Sequence, residues 1–302
     1  MRIQSEAPLL HRPGVDLVVE MYALSPDRVY PKFVREIDND NNFYRVHTEG
    51  DFEAALIVNE ATGIQYQDFE TPYVRDYNYY KRGVGFSISK EAMQTAKYGY
   101  LADRGEKMGD AIRKSKEADM ANFMNLATST STIYAPITPD GLSLASASHL
   151  RQSGLYSNIV TGNPALSVTS IAQAIQELIR QPSHTNDPLM FMGPYTLLVP
   201  PELADLANRL VKTQKYPTTN NNDINWSGSY VTEVVVNPYF TSTTAWALVV
   251  QGRKNPLLMV NRVVLDTDDD KDIDVYGMKY TAVSIWSKVP KDPRGFIYSA
   301  GA

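Results

Sequence analysis

The sequence predicts an α+β fold of helices and mainly antiparallel strands, and three observations carry that expectation. A long helical stretch follows residue 89. Two shorter amphipathic patterns recur around residues 167–181 and 201–211, and four strand-like runs, at about 230–236, 245–251, 257–265 and 275–288, close the chain. The 302 residues are 43% hydrophobic and 21% charged, the balance of an ordinary soluble protein, and are enough for a substantial core in one or two domains. A formal net charge of -5 lacks the basic excess of a dedicated nucleic-acid binder. The absence of cysteine excludes disulfides, thiolate zinc sites, iron–sulfur clusters and a cysteine nucleophile. The N-terminus has no signal-peptide apolar segment, and no run approaches the ~18 apolar residues of a membrane span, so synthesis in a cytoplasm without membrane insertion is expected.

Taken in order, residues 1–40 hold one apolar patch at 15–23 among Pro8, Pro13, Pro26 and Pro31, which reads as an arm rather than a domain. Residues 43–80 alternate loosely, with a turn around 60–63 and a break at Thr71-Pro72, so two or three hairpin strands are expected. The stretch 43–88 is rich in Phe and Tyr but poor in aliphatic residues. Lacking a core of its own, such an arm would be ordered by lying on a neighbouring molecule. Val84, Phe86 and Ile88 alternate with small residues in a clearer strand, and Ser89 is placed to cap the following helix, with Glu91 suited to its first turn.

That helix should break near Gly99 and resume over about 101–127 on a stripe of Met108, Ile112, Met120, Phe123, Met124 and Ala127. Gly105 and Gly109 each weaken a helix interior by about 1 kcal/mol, so outside packing must support it. The Thr/Ser run at 128–132 and a loop with Pro136, Pro139 and Gly141 lead to a second lobe. Ser167 is placed to cap a helix ended by Pro182; residues 195–199 read as a buried strand; Pro200-Pro201 opens a helix with Leu203, Leu206, Ala207, Leu210 and Val211 inward.

Motifs for chemistry are weak. None of His11, His47, His149 and His184 accompanies a nucleophile elbow or a His-Glu-x-x-His spacing, and no phosphate-binding glycine loop occurs. The acidic run 266–274 resembles a calcium loop only superficially, because Lys271 and Gly277 stand where the turn glycine and bidentate glutamate belong; it reads as a solvated acidic loop. No catalytic, cofactor-binding or metal residue is assigned, and the sequon Asn225-Trp226-Ser227 reads as loop.

Four separated motifs together resemble the major capsid proteins of tailed bacteriophages, specifically the Mu-like prophage head-subunit group with the Hong Kong 97-type fold. They are residues 80–91 (YKRGVGFSISKE); Gly141-Leu142-Ser143-Leu144 followed by His149; Leu197-Leu198-Val199-Pro200-Pro201-Glu202-Leu203 with the Asn-rich stretch 221–225; and Asp292-Pro293-Arg294-Gly295. Leu144 replaces the family's usual Phe, and His149 is displaced by an insertion. The resemblance spans about 12–298 and implies an N-arm at 1–40, an extended E-loop hairpin at 41–82, a P-domain from 83–133 with its long spine helix and from 264–302 with C-terminal strands, and an A-domain at 134–263.

By that resemblance the chain is a structural protein, not an enzyme. Its partners would be copies of itself in pentamers and hexamers of an icosahedral shell, with separate scaffolding, portal and cement proteins, enclosing DNA without sequence-specific binding. The shell would be assembled in the bacterial host cytoplasm and form the virion capsid. Residues 33–80 contain no lysine, so the isopeptide weld used by some members through an E-loop lysine is not expected, and Met1 favours a separate scaffold over a removed precursor. The intersubunit candidates are Phe52, Tyr66, Phe69, Tyr73, Arg75, Tyr77, Arg82, Arg104 and Arg294. Competing readings are an encapsulin-type nanocompartment shell, a soluble α+β hydrolase using His149 or His184, and a tail or decoration protein.

Overall fold

The computed structural model describes residues 7–48, 50, 58, 63–64, 66, 73–89, 91–92, 99–151, 154–184, 187–213, 215, 224–272 and 277–302. Two four-stranded sheets organise the chain. The first has the order β1-β10-β11-β4, from β1 (Arg35–Asp38), β10 (Leu257–Asp272), β11 (Gly277–Pro290) and β4 (Tyr80–Ser89). The second has the order β12-β9-β7-β8, from β7 (Tyr195–Val199), β8 (Val231–Val236), β9 (Trp246–Val250) and β12 (Phe296–Ser299). Pairing is antiparallel except for β1 with β10 and β7 with β8, as the mainly antiparallel expectation requires. Two hairpins complete the strands: β2 (Phe43–Thr48) with β3 (Tyr73–Asn78), and β5 (His149–Arg151) with β6 (Gly154–Tyr156).

The long helix α2 is described over Gly99–Asn125, and its stripe residues Met108, Ile112, Met120, Phe123 and Met124 are all buried; residues 93–98, just before the expected break, lie outside the described residues. Ser89 accepts a hydrogen bond from the Ala92 amide at 3.2 Å, so it caps the turn after β4 as its position suggested. Helix α3 (Val168–Ile179) starts at Ser167, whose hydroxyl accepts from the Ser170 amide while the Ser170 hydroxyl accepts from the Ser167 amide. A 3-10 turn (Pro201–Leu203) leads into α4 (Ala204–Lys212), which buries Ala207, Leu210 and Val211. Leu206 is exposed instead of inward, because at about 100° per residue it stands on the flank of that stripe.

Two expectations change. The proline-containing N-terminal segment forms a helix, α1 (Ala7–Ala23), because Val15, Val19 and Ala23 find a partner in α2. Its Pro8 falls in the first turn, where proline is tolerated. The acidic run is strand rather than loop through residue 272: Asp266, Asp268, Asp269 and Asp270 continue β10 opposite Val283, Thr281, Tyr280 and Lys279. Cross-strand partners supplied from far along the chain override the low strand propensity of aspartate.

The expected second lobe is not separated from the first by a gap in the core. Met120, Phe123 and Met124 of α2 share one buried cluster with Leu198, Val235, Ala247 and Val249 of the second sheet. A second cluster fills the space between that sheet and helices α3 and α4, and a third lies between the first sheet, α1 and the first half of α2.

Candidate assembly surface

The aromatic arm has a root built into its own chain. In the β2–β3 pair, Val46 and Tyr77 turn inward and join Leu258, Val260 and Val289 in a small core. The Tyr77 hydroxyl donates to the Ile137 carbonyl at 2.7 Å, and burial raises its pKa above the ordinary phenol value. Arg75, half-buried, lies with its guanidinium 5.8 Å from the Tyr77 ring, while Arg45 and Asp76 on the outer face form two bonds of 2.7 Å. Hydrogen bonding from Arg45 holds the Asp76 carboxyl below its usual range. Thus the expectation of an arm without a core fails at its base. Beyond the root, Val58, Ile64 and Tyr66 are exposed, Tyr66 at 96%. Phe52, Phe69 and most of the expected turn at 60–63 lie outside the described residues. Tyr73, half-buried, lies opposite Thr48 at the outer end of the root.

The arginines divide by environment. Arg82 reaches back from β4 to Asp119 of α2 at 3.0 Å and lies 4.4 Å from the Trp286 ring centre. Asp119, 7% exposed, also accepts from Lys288 Nζ at 2.9 Å and from the Trp286 indole at 2.9 Å. One buried carboxylate is therefore shared by two cations. Arg294 forms a bidentate pair with Asp292 inside its own chain, and Arg104 stands on the solvent side of α2. Of the nine candidates, the structure brings Tyr73, Arg75, Tyr77 and Arg82 to the root and its strand β4, and places Arg104 and Arg294 elsewhere.

A second set of charges went unassigned in the sequence although its signal was there. Lys116, four residues from both Ile112 and Met120, sits in the apolar register of α2 and is only 1% exposed. Its ammonium donates to the Val264 carbonyl at 3.0 Å, and Ser284 donates to the Val263 and Val264 carbonyls. These carbonyls lie where β10 carries extra residues against β11, so the bulge's freed acceptors are taken up by α2 and β11. Burial lowers the Lys116 pKa to about 8. Next to it, Glu117 accepts from the Val29 amide at 2.6 Å and from the Tyr30 amide at 3.2 Å, clamping the turn before β1 to α2. Burial raises the Glu117 pKa, and those two amides oppose the shift.

The histidine alternative loses its chemistry here. His149 is fully buried, with Nδ1 2.7 Å from Asp140 and Nε2 3.2 Å from the Leu144 carbonyl, so neither nitrogen is available to a substrate. Burial pushes the Asp140 carboxyl up, but hydrogen bonds from His149, Thr138 and the Leu142 amide outweigh it and hold the pKa low. Asn158 joins the knot by donating to the carbonyls of Leu144 and Pro293, which ties residues 140–149 to residues 292–295. The neighbouring cleft beside His184 encloses about 20 Å³, room for about one water. Among the described residues no three His, Asp or Glu side chains cluster as metal ligands, and no helix is long and apolar enough to cross a membrane.

The sequence matches, over residues 74–299, the family described as phage capsid protein. No curated protein matches the chain. Among solved structures, the fold is similar to that of Mycobacterium phage Adephagia, at 11% identity and a TM-score of 0.57, covering 90% of this chain and 89% of that one. It is also similar to the capsid of the native GTA particle, at 10% identity and a TM-score of 0.56 over 91% and 90% of the two chains. The virus-like particle from Pyrococcus furiosus matches at 12% identity and a TM-score of 0.50 over 93% and 96%. At such identities the likeness is one of fold.

Proposed function

The chain belongs to the phage capsid protein family, and from that premise we propose that it is the major head subunit of a tailed bacteriophage or prophage, of the Mu-like group, with a structural and not an enzymatic role. Many copies assemble into pentamers and hexamers of an icosahedral shell that encloses double-stranded DNA and becomes the virion capsid. Assembly takes place in the host cytoplasm with separate scaffolding, portal and cement proteins. Residues 1–40 act as N-arm, 41–82 as E-loop, 83–133 and 264–302 as P-domain, and 134–263 as A-domain. The four motifs at 80–91, 141–149, 197–225 and 292–295 support the Mu-like assignment.

The observation that carries this reading is the hairpin root. Val46 and Tyr77 fix its base in the subunit, while Ile64 and Tyr66 further out are 72% and 96% exposed. Covering such side chains on an adjacent copy contributes roughly 25 cal/mol per Å² of apolar surface before ordering is subtracted. Repetition of that contact in closed symmetry makes moderate interfaces into a stable particle. Within the interface Tyr66, Tyr73, Arg75, Arg82 and Arg104, with Phe52 and Phe69, are the contact residues, while Tyr77 and Arg294 are engaged inside their own subunit.

Expression of the chain with its gene neighbours, followed by negative-stain microscopy, tests the proposal. Closed shells of uniform diameter containing DNA are expected. A monomer at high concentration with all neighbours present would overturn it, and shells filled with a copurifying enzyme instead of DNA would transfer the chain to the nanocompartment reading.

A further inference from the structure

The first sheet separates opposite charges along its length. At one end, an open cleft of about 210 Å³ lies between the hairpin root, the start of β4 and the loop at 132–137. Arg75, Arg82 and Lys288 line it. Two carboxylates stand with these three cations: Asp119, already engaged by Arg82 and Lys288, and Asp76, paired with Arg45. The Nη1 atom of Arg82 is buried at the floor of the cleft and has no hydrogen-bond partner among the described residues. Tyr80, Ile133 and Tyr134, all exposed, stand at the same cleft. Tyrosine and arginine around a partly desolvated centre is the composition of an energetically important protein contact.

At the other end, Asp266, Asp268 and Asp270 point from β10 to one exposed face. Lys279 lies across from Asp270, leaving an acidic excess. Strand β1 covers the edge of β10 only as far as Asn261, so among the described residues no strand lies beyond that point. Such an acidic edge resists random strand pairing, yet it matches a cationic partner.

The two ends cannot meet within one molecule. Asp270 is level with Lys279 and Ser87, seven residues along β4 from Tyr80 at the cleft. At about 3.3 Å per residue the separation is about 23 Å along a paired, rigid sheet. We propose that the acidic β10–β11 ribbon of one copy docks its aspartates into the Arg75–Arg82 cleft of a second copy. Made head to tail, donor face to acceptor face, this contact repeats from copy to copy and forms a ring where the rotation closes. It rests on the capsid reading and names the contact that the root and β4 make.

The test uses full-length chain and three variants: Asp268→Lys with Asp270→Lys, Arg75→Glu, and all three changes together. Particle yield is read by light scattering and microscopy, and folding by thermal melting of the unassembled subunit. Each single-side reversal is expected to fold and to lower particle yield at least tenfold, and the combination to restore it. The milder pair Asp268→Asn with Asp270→Asn covers the case in which reversal unfolds the ribbon; it should raise the critical assembly concentration several-fold and flatten its dependence on NaCl. Ribbon variants that assemble like the parent overturn the proposal. So does a loss confined to Arg75→Glu, which would give the cleft a different occupant. A parent chain that forms no particles instead sinks the capsid reading itself.

Discussion

Gly109 of α2 lies directly against the backbone of Val19 in α1: a Cβ placed on Gly109 would approach the Val19 carbonyl oxygen to 2.6 Å and the Tyr22 Cβ to 2.9 Å. Gly105, one turn earlier, is less tight, and a Cβ there would meet Val15 at an ordinary 3.5 Å. Two glycines that weaken α2 in isolation thereby form the trough in which α1 lies. The two positions should respond oppositely to alanine. Gly105→Ala gains about 0.5–1 kcal/mol of helix propensity with room for its methyl. Gly109→Ala must displace α1, and the strain of about 1–3 kcal/mol exceeds the same gain. Denaturant unfolding of the two variants checks this, and equal shifts would mean that α1 does not pack as described.

Asp119 is the sole carboxylate reached by Arg82, Lys288 and the Trp286 indole among their described bonds. Removing it as Asp119→Ala leaves the buried Lys288 ammonium and the half-buried Arg82 over the Trp286 ring without their carboxylate, which should cost about 3–5 kcal/mol. Replacing Trp286 by Phe deletes one neutral donor and keeps the ion pairs, for a smaller loss of about 1–2 kcal/mol. Unfolding free energies in the reverse order would show that the charges are solvated.

Lys116 gives a pH signature. In the folded chain burial lowers its pKa from 10.5 to about 8, so between those values the unfolded chain binds more protons. Stability from this group is therefore full above pH 10.5 and is lost as pH falls through about 8. Relative to Lys116→Met, which removes the titration, the parent should become more stable by up to about 3 kcal/mol between pH 7.5 and 10.5. Comparing the difference between the two proteins cancels tyrosine ionisation common to both. A flat difference would place the amine in water.

What could be read in advance was local. The Ser167 cap, the buried strand at 195–199 and the Met/Phe stripe of α2 each announce themselves within a few residues. What could not be read depends on distant partners. Val15 and Val19 become a helix face because glycines about ninety residues later accept them. The aspartates of β10 become strand because β11 pairs with them. Of the candidate contacts, Arg82 and Arg294 carry intrachain carboxylates that no spacing rule reveals for Asp119, whereas Lys116 in an apolar register was a legible anomaly.

The hairpin root changes how the arm should be cut. Tyr73 and Arg75 pair with Thr48 and Val46, so a deletion of residues 50–75 would strip β3 of half its register and expose Val46. Replacing residues 51–70 by a short Gly/Ser linker keeps both strands, the Tyr77 bond to Ile137 and the packing on Leu258 and Val289. The shortened subunit should melt within a few degrees of the parent, because the small core of Val46, Tyr77, Leu258, Val260 and Val289 is kept and Val58, Ile64 and Tyr66 of the removed stretch are exposed. Shell formation should nevertheless be lost, since the side chains that would cover the adjacent copy are gone. Adding Tyr77→Phe to the full-length chain tests the root separately: it removes one hydrogen bond, worth about 1 kcal/mol, and loosens the hairpin without deleting it. Normal shells from the linker variant in electron micrographs would show that the arm is dispensable, and the assembly contacts would then have to be sought on the two sheets alone.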